Sequence, residues 1–158
     1  MRFIWMDFEL ASRIRRLFAA WIDGILNLLF SKLGLLILGL ENKDILDLYM
    51  YSSKQLFLYS VWSLLFVFLF YVIVPTYIWS GQTIGKRLLS IMVVKDTEDL
   101  VDIKTMSLRT VFVLCCQLNL PIIIQAFVVL YLVDLIFIFR TDRKTIHDII
   151  AKTKVVYY

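Results

Sequence analysis

Histidine and cysteine are almost absent from this chain of 158 residues, and the chemistry they support is absent with them. The single histidine, His147, cannot build a zinc constellation. The two cysteines, Cys115 and Cys116, are adjacent inside an apolar run, which excludes a disulfide framework. Without a nucleophile and base at a working spacing or a metal cluster, neither an enzymatic role nor a cofactor is expected. A phosphate-binding loop is also missing. In Gly81-Gln82-Thr83-Ile84-Gly85-Lys86-Arg87 three residues separate the glycines where that motif needs four, and Arg87 stands where it needs Ser or Thr.

Apolar residues are what the chain has. They make up 61% of the sequence, above the usual range of about 45 to 50% for soluble domains. This composition implies an integral membrane protein. The length leaves room for at most four or five spans of about 20 residues, hence one helical bundle without a separate soluble domain. The net charge of +4 does not point to nucleic acid, because the basic residues sit at the ends of apolar runs. They read instead as orientation signals and as contacts to the anionic headgroups of a bilayer.

The fold expected is all-α, a polytopic transmembrane bundle with about four membrane segments near residues 17–40, 56–79, 106–119 and 122–139. Residues 1–12 mix Phe3, Ile4, Trp5, Phe8 and Leu10 with Arg2, Asp7 and Glu9, the pattern of a short amphipathic segment on the membrane surface. The first apolar run is too long for a cleaved signal, is interrupted by Asp23 and lacks a small-residue cleavage site, so it should stay attached.

On a helix, Arg16, Ala20, Asp23, Asn27, Ser31 and Gly34 share one face. That face reads either as a packing surface or as a functional site. An aspartate at the centre of a spanning helix costs roughly 2.5 to 3.5 kcal/mol, so Asp23 should be paired or working. Arg16 lies two turns away, about 10 Å along the axis, too far for a direct pair. A basic nitrogen from Arg109 or from the Lys86-Arg87 pair is the expected neighbour of Asp23.

The second span carries no charge, and Pro75 near its exit is tolerated close to the interface. Ile84, Leu88 and Leu89 should face the membrane, with Lys86 and Arg87 at headgroup level. The β-branched segments Ile91 to Val94 and Lys154 to Tyr157 are expected to pair as strands on the cytoplasmic face. Residues 106–139 are too long for one ordinary span and short for two. A helical hairpin turning near Asn119 to Pro121 is favoured, and three spans with the tail outside is the alternative. The loop from Glu41 to Lys54 is poor in positive charge, whereas the N-terminus, the central loop and the tail are rich in it. Both termini should therefore be cytoplasmic in a multi-pass protein of the cell membrane.

Three stretches together resemble the RDD family of prokaryotic membrane proteins. They are Arg16-Leu17-Phe18-Ala19-Ala20-Trp21-Ile22-Asp23-Gly24, Gly81 to Leu89 leading to Val93-Val94, and Thr145-Ile146-His147-Asp148 followed by Ala151 to Val156. The resemblance covers nearly the whole chain. It implies that Arg16 is the arginine and Asp23 the first aspartate for which the family is named, with Asp148 the second and Asp134 the other candidate. It implies no single activity, ion exchange being one proposal for the family. The approach to His147-Asp148 departs from the pattern in having Thr145-Ile146 where a glycine is usual. For Asp148 the plainer reading is a turn or helix cap. The functions in competition are transport of a monovalent cation or proton, with Asp23, Asp134 and Asn27 as the intramembrane site, and a non-catalytic accessory or assembly subunit. So few short helices barely enclose a pathway, so transport would call for a homo-oligomer or another membrane protein.

Overall fold

The computed structural model describes residues 8–40, 52–117 and 121–158, and for residues 121–128 the backbone alone. Two of its helices are long and apolar enough to cross a membrane: α1 (Arg13–Ile37), and a continuous helix over Ser53–Tyr77. The second comprises α2 (Ser53–Phe68), a π-helical turn (Leu69–Ile73) and α3 (Val74–Tyr77). They begin four and three residues earlier than hydropathy places them. Their N-caps, Ser12 and Ser52, lie upstream of the apolar runs and accept bonds from the free amides of Arg15 and Gln55. Asp102 does the same for α5 (Ile103–Cys116), whose amide at Thr105 bonds its carboxylate at 2.8 Å. The π-helical turn precedes Pro75, which has no N–H to give its helix, and the wider winding absorbs the missing bond.

The outer surfaces of α1 and α2 are apolar. Ile14, Phe18, Trp21 and Leu28 of α1, and Phe57 and Leu65 of α2, all stand exposed. The face of α1 carrying Arg16, Asp23 and Gly34 turns inward. At Gly34 a side chain would collide with the indole of Trp62, whose Nε1 donates to the Phe30 carbonyl at 3.2 Å. Phe30 stacks on both Trp62 and Phe66. This polar-in, apolar-out arrangement suits a lipid surround, where small and polar residues pack helix on helix.

The third and fourth apolar stretches form α5 and α6 (Pro121–Ile136), which pack together, with a 3-10 turn (Phe137–Phe139) after α6. At 14 and 16 residues they are about 21 and 24 Å long, short of a hydrocarbon core of about 30 Å. The expected turn at 118–120 lies outside the described residues.

One end of the bundle is capped by short elements: α4 (Ile84–Leu88), β1 (Ile91–Lys95), α7 (Ile146–Ala151) and β2 (Thr153–Tyr157). The two strands pair antiparallel with Ile91 opposite Tyr157 and Val94 opposite Lys154, the pairing expected from their β-branched sequences. The amphipathic surface segment expected over residues 1–12 is corrected where it is described. Residues 9–11 run extended along the free edge of β2, with bonds from the Ala11 amide to Val155 and from the Tyr157 amide to Glu9. Pairing satisfies an edge that would otherwise be open. Residues 1–7 lie outside the described set. Gly81 turns the chain into this cap at φ +85°, where a side chain would strike the Val93 carbonyl.

Candidate functional site

Asp23 is buried in the face of α1 that meets α4, and α4 is built to receive it. Thr83, the N-cap of α4, donates its hydroxyl to one carboxylate oxygen at 2.5 Å, and the amide of Gly85 donates to the other at 2.8 Å. Gly85 has to be glycine for this approach, because a Cβ would fall on the Ala19 carbonyl and within 3.0 Å of the Asp23 carboxylate. The Lys86 ammonium lies 3.8 Å from Asp23 and 3.2 Å from the Thr83 hydroxyl. Burial holds Lys86 below the ordinary lysine range, while Asp23 pulls it back up. From the π-helical turn, the Tyr71 hydroxyl donates to the backbone carbonyl of Asp23 at 2.8 Å.

The basic neighbour expected for Asp23 is therefore Lys86. Lys86 points inward, toward Asp23, because the turn of α4 that bonds Asp23 carries its stem along. Arg87 lies on the other side of α4, over the Trp79 ring at 5.0 Å. Arg109 goes to a different carboxylate.

That carboxylate is Asp148, which is fully buried. It receives Arg16 at 2.5 Å and Arg109 through its other oxygen. It also takes the Thr145 amide at 3.1 Å and the Thr145 hydroxyl at 2.9 Å. Thr145 and Asp148 form a capping box on α7, so the plain capping reading of Asp148 and its partnership with the arginines hold together. Arg109 also donates to the Thr153 hydroxyl, and Arg16 to the Arg143 carbonyl. Burial alone would raise the Asp148 pKa. The guanidiniums of Arg109 and Arg16 outweigh it and hold the carboxyl well below the usual range.

Asp134, near the end of α6, is also fully buried and meets His147 twice, at the backbone amide (2.9 Å) and at Nδ1 (2.6 Å). A proton on Nδ1 facing Asp134 leaves Nε2 to accept from Arg109 at 3.2 Å. His147 thus stands between two buried aspartates, Asp134 and Asp148. Nothing in the composition marked it, since a lone histidine shows no spacing to read. Thr83, Gly85, Tyr71, Thr145 and Thr153 were missed for the same reason: their roles come from docking, not from local pattern.

Between these groups lies a cavity of about 280 Å³, bordered by Asp23, Asn27, Tyr71, Lys86, Arg109 and His147 on its polar side. Asn27 borders the cavity, and its Oδ1 is buried without a hydrogen-bond partner among the described residues.

Long apolar helices around a buried ionic cluster, capped at one end by short polar elements, define a helical membrane protein with a charged polar interior. The chain belongs to the RDD family, whose model matches residues 10–152. It is also similar to the uncharacterized protein YckC of Bacillus subtilis (strain 168), with 33% identity over 101 residues. That match covers 62% of this chain and 61% of YckC, so the chain spans less than two thirds of that relative. No solved structure matches.

Proposed function

We propose that this protein is a multi-pass protein of the cell membrane that exchanges a monovalent cation for a proton at Asp23. The observation that carries the reading is the cavity, which a buried carboxylate, an ammonium and Asn27 border together. Two oxygens, from Asp23 and Asn27, suit a hard monovalent cation. The Lys86 ammonium is 3.8 Å from Asp23, too far for a direct hydrogen bond, and is displaced more readily than a bidentate arginine would be. A cation arriving at Asp23 competes with that ammonium, and burial already favours the neutral amine. Binding then releases one proton for each cation taken, which keeps the buried charge constant. Asp134 and Asp148 stay outside this exchange because His147 and the arginines occupy them.

In this reading α5 and α6 are the second pair of membrane segments, dipping as a short hairpin. The cap faces the cytoplasm, because Arg87, Lys95, Arg140, Lys144 and Lys154 gather on or beside its elements. A homo-oligomer, or another membrane protein, completes the path that so small a bundle does not enclose.

The test is proton movement driven by sodium or potassium in vesicles containing the purified protein, run beside Asp23→Asn. A signal in the wild type that disappears in an equally stable Asp23→Asn protein supports the exchange. No signal in the wild type removes it and leaves the accessory role.

A further inference from the structure

The two ring nitrogens of His147 are in different situations. Nδ1 gives its proton to Asp134 at 2.6 Å. Nε2 faces the Arg109 guanidinium at 3.2 Å, and since arginine only donates, Nε2 is the bare, accepting nitrogen. The imidazole is neutral in this arrangement, and the charges around it balance in that state. Asp23, Asp134 and Asp148 stand against Arg16, Arg109 and Lys86. The other ionisable groups on the cavity, Tyr71, Cys116 and Tyr131, are phenols and a thiol, types that carry no charge at neutral pH. The Arg143 guanidinium turns away to the Leu10 carbonyl. A second proton on His147 therefore changes two things: it adds a charge to a balanced set, and it turns Nε2 from acceptor into donor.

A donor at Nε2 is incompatible with the guanidinium it faces. The carboxylate oxygen within reach is Asp148 Oδ1, 3.8 Å from Nε2, and it is the oxygen that Arg109 holds. The Thr145 hydroxyl is nearer, but at 3.2 and 3.1 Å it is equally distant from Nδ1 and Nε2, so it lies along neither N–H direction. A proton has access, because 22% of the His147 side chain is exposed against 0% for Asp134 and Asp148 and 5% for Arg109. Both His147 and Arg109 border the cavity beside Asp23. We propose that His147 is a proton switch on the cation site: a proton at Nε2 takes Asp148 Oδ1 from Arg109 and releases the guanidinium to Asp23. The inference rests on the exchange reading for the cation it displaces. In the cation-loaded state Lys86 is neutral, so one proton enters at Nε2, one cation leaves Asp23, and three carboxylates still face three cations: Arg16, Arg109 and His147. Arginine keeps its proton at any working pH, so at Asp23 it blocks a cation where Lys86 would yield. The site closes as the imidazole gains its charge on the acid side and opens as it loses it. The two clusters act on each other as this requires, since Arg109, Asp148 and Arg16 all bear on the Lys86 ammonium together with Asp23.

His147 is the only histidine in the chain, so an imidazole signal in nuclear magnetic resonance of the full, untagged protein in micelles belongs to one residue. It is followed from about pH 8 to about pH 5, in sodium chloride and in N-methylglucamine chloride of equal ionic strength. Sodium should move the midpoint about one pH unit to the acid side, a tenfold coupling, because proton and cation exclude each other. The sodium effect should vanish in Asp23→Asn, which binds no cation, and in Arg109→Gln, which has no guanidinium to carry it. A sodium effect that persists in Arg109→Gln overturns the displacement. No sodium effect in the wild type overturns the switch, and the vesicle assay with Asp23→Asn then shows separately whether exchange fails with it. His147→Gln tests the switch without touching Arg109, since glutamine offers a donor and an acceptor but takes no charge. Between about pH 7.5 and about pH 5.5, cation-driven proton movement should fall about tenfold in the wild type and about threefold or less in His147→Gln. Equal falls in the two proteins overturn the proposal.

Discussion

Asp148→Asn should be among the most damaging single substitutions available in this chain. The carboxylate is fully buried and lies between two guanidiniums, Arg16 at 2.5 Å and Arg109 on its other oxygen. Asparagine keeps the size and one amide oxygen for the Thr145 cap, so the cap itself survives. What disappears is the negative charge that lets two buried cations coexist. Removing one partner from a buried ion pair costs about 3 to 5 kcal/mol, chiefly because the other charge is left uncompensated. Here two are left, and the full upper part of that range is expected. Against a typical total stability of about 5 to 15 kcal/mol this removes a large fraction. Arg109→Gln alone should be milder, since Arg16 still balances Asp148. The double variant Asp148→Asn with Arg109→Gln should then be more stable than the two single effects added together, by up to about 3 kcal/mol. Equilibrium unfolding in mixed micelles, followed by circular dichroism, measures all four proteins of the cycle. An Asp148→Asn protein within about 1 kcal/mol of wild type, or strict additivity in the cycle, would refute the account of a shared carboxylate.

Two further outcomes follow from the same geometry. Gly85→Ala places a methyl group on the Ala19 carbonyl and against the Asp23 carboxylate, and should destabilise by about 1 to 3 kcal/mol in the same unfolding assay while weakening cation-driven proton movement. The pH dependence has a definite sign. Asp148 is held below its unfolded value, so its contribution is complete above about pH 4 and is lost as pH falls further toward the folded pKa. Melting midpoints from pH 7 to 5 should show no loss from this group, with a decline setting in below about pH 4 that Asp148→Asn lacks.

The parts of the molecule that were legible from sequence are those set by local pattern. The long apolar helices announce themselves by length, and the starts of these and of α5 are misplaced by three or four residues because Ser12, Ser52 and Asp102 are polar and precede the apolar runs they cap. The β1–β2 pairing was legible because both partners are short β-branched runs of matching length. The side-chain partnerships were legible only as far as cost arguments reach. A buried aspartate demands a cation, and Lys86 was among the three basic residues named for it. Which cation goes to which aspartate is decided by docking. Arg16 and Asp148 are 132 positions apart, and no periodicity connects them. Asp134 and His147 meet only because the chain after α6 folds back through the 3-10 turn and the loop before α7.

Asp23 and Asp148 are held in different ways, and the difference suits them to different work. Asp148 is saturated: two guanidiniums, an amide and a hydroxyl converge on it, and it does not border the cavity beside Asp23. A carboxylate so enclosed has no oxygen to offer a ligand, and displacing any partner exposes a buried charge. Its natural task is to lock α7 and β2 to the helices through Arg16 and Arg109. Asp23 has two short neutral donors, Thr83 and Gly85, and a lysine that stands off at 3.8 Å beside a cavity. Neutral donors fix its position without cancelling its charge, and the one group that does balance it can move or lose its proton. Exchange chemistry requires a charge that is held in place yet only loosely paired. Of the buried aspartates, the one on α1 meets that requirement, and the lock at Asp148 keeps Arg109 and Arg16 from competing with Lys86 for it.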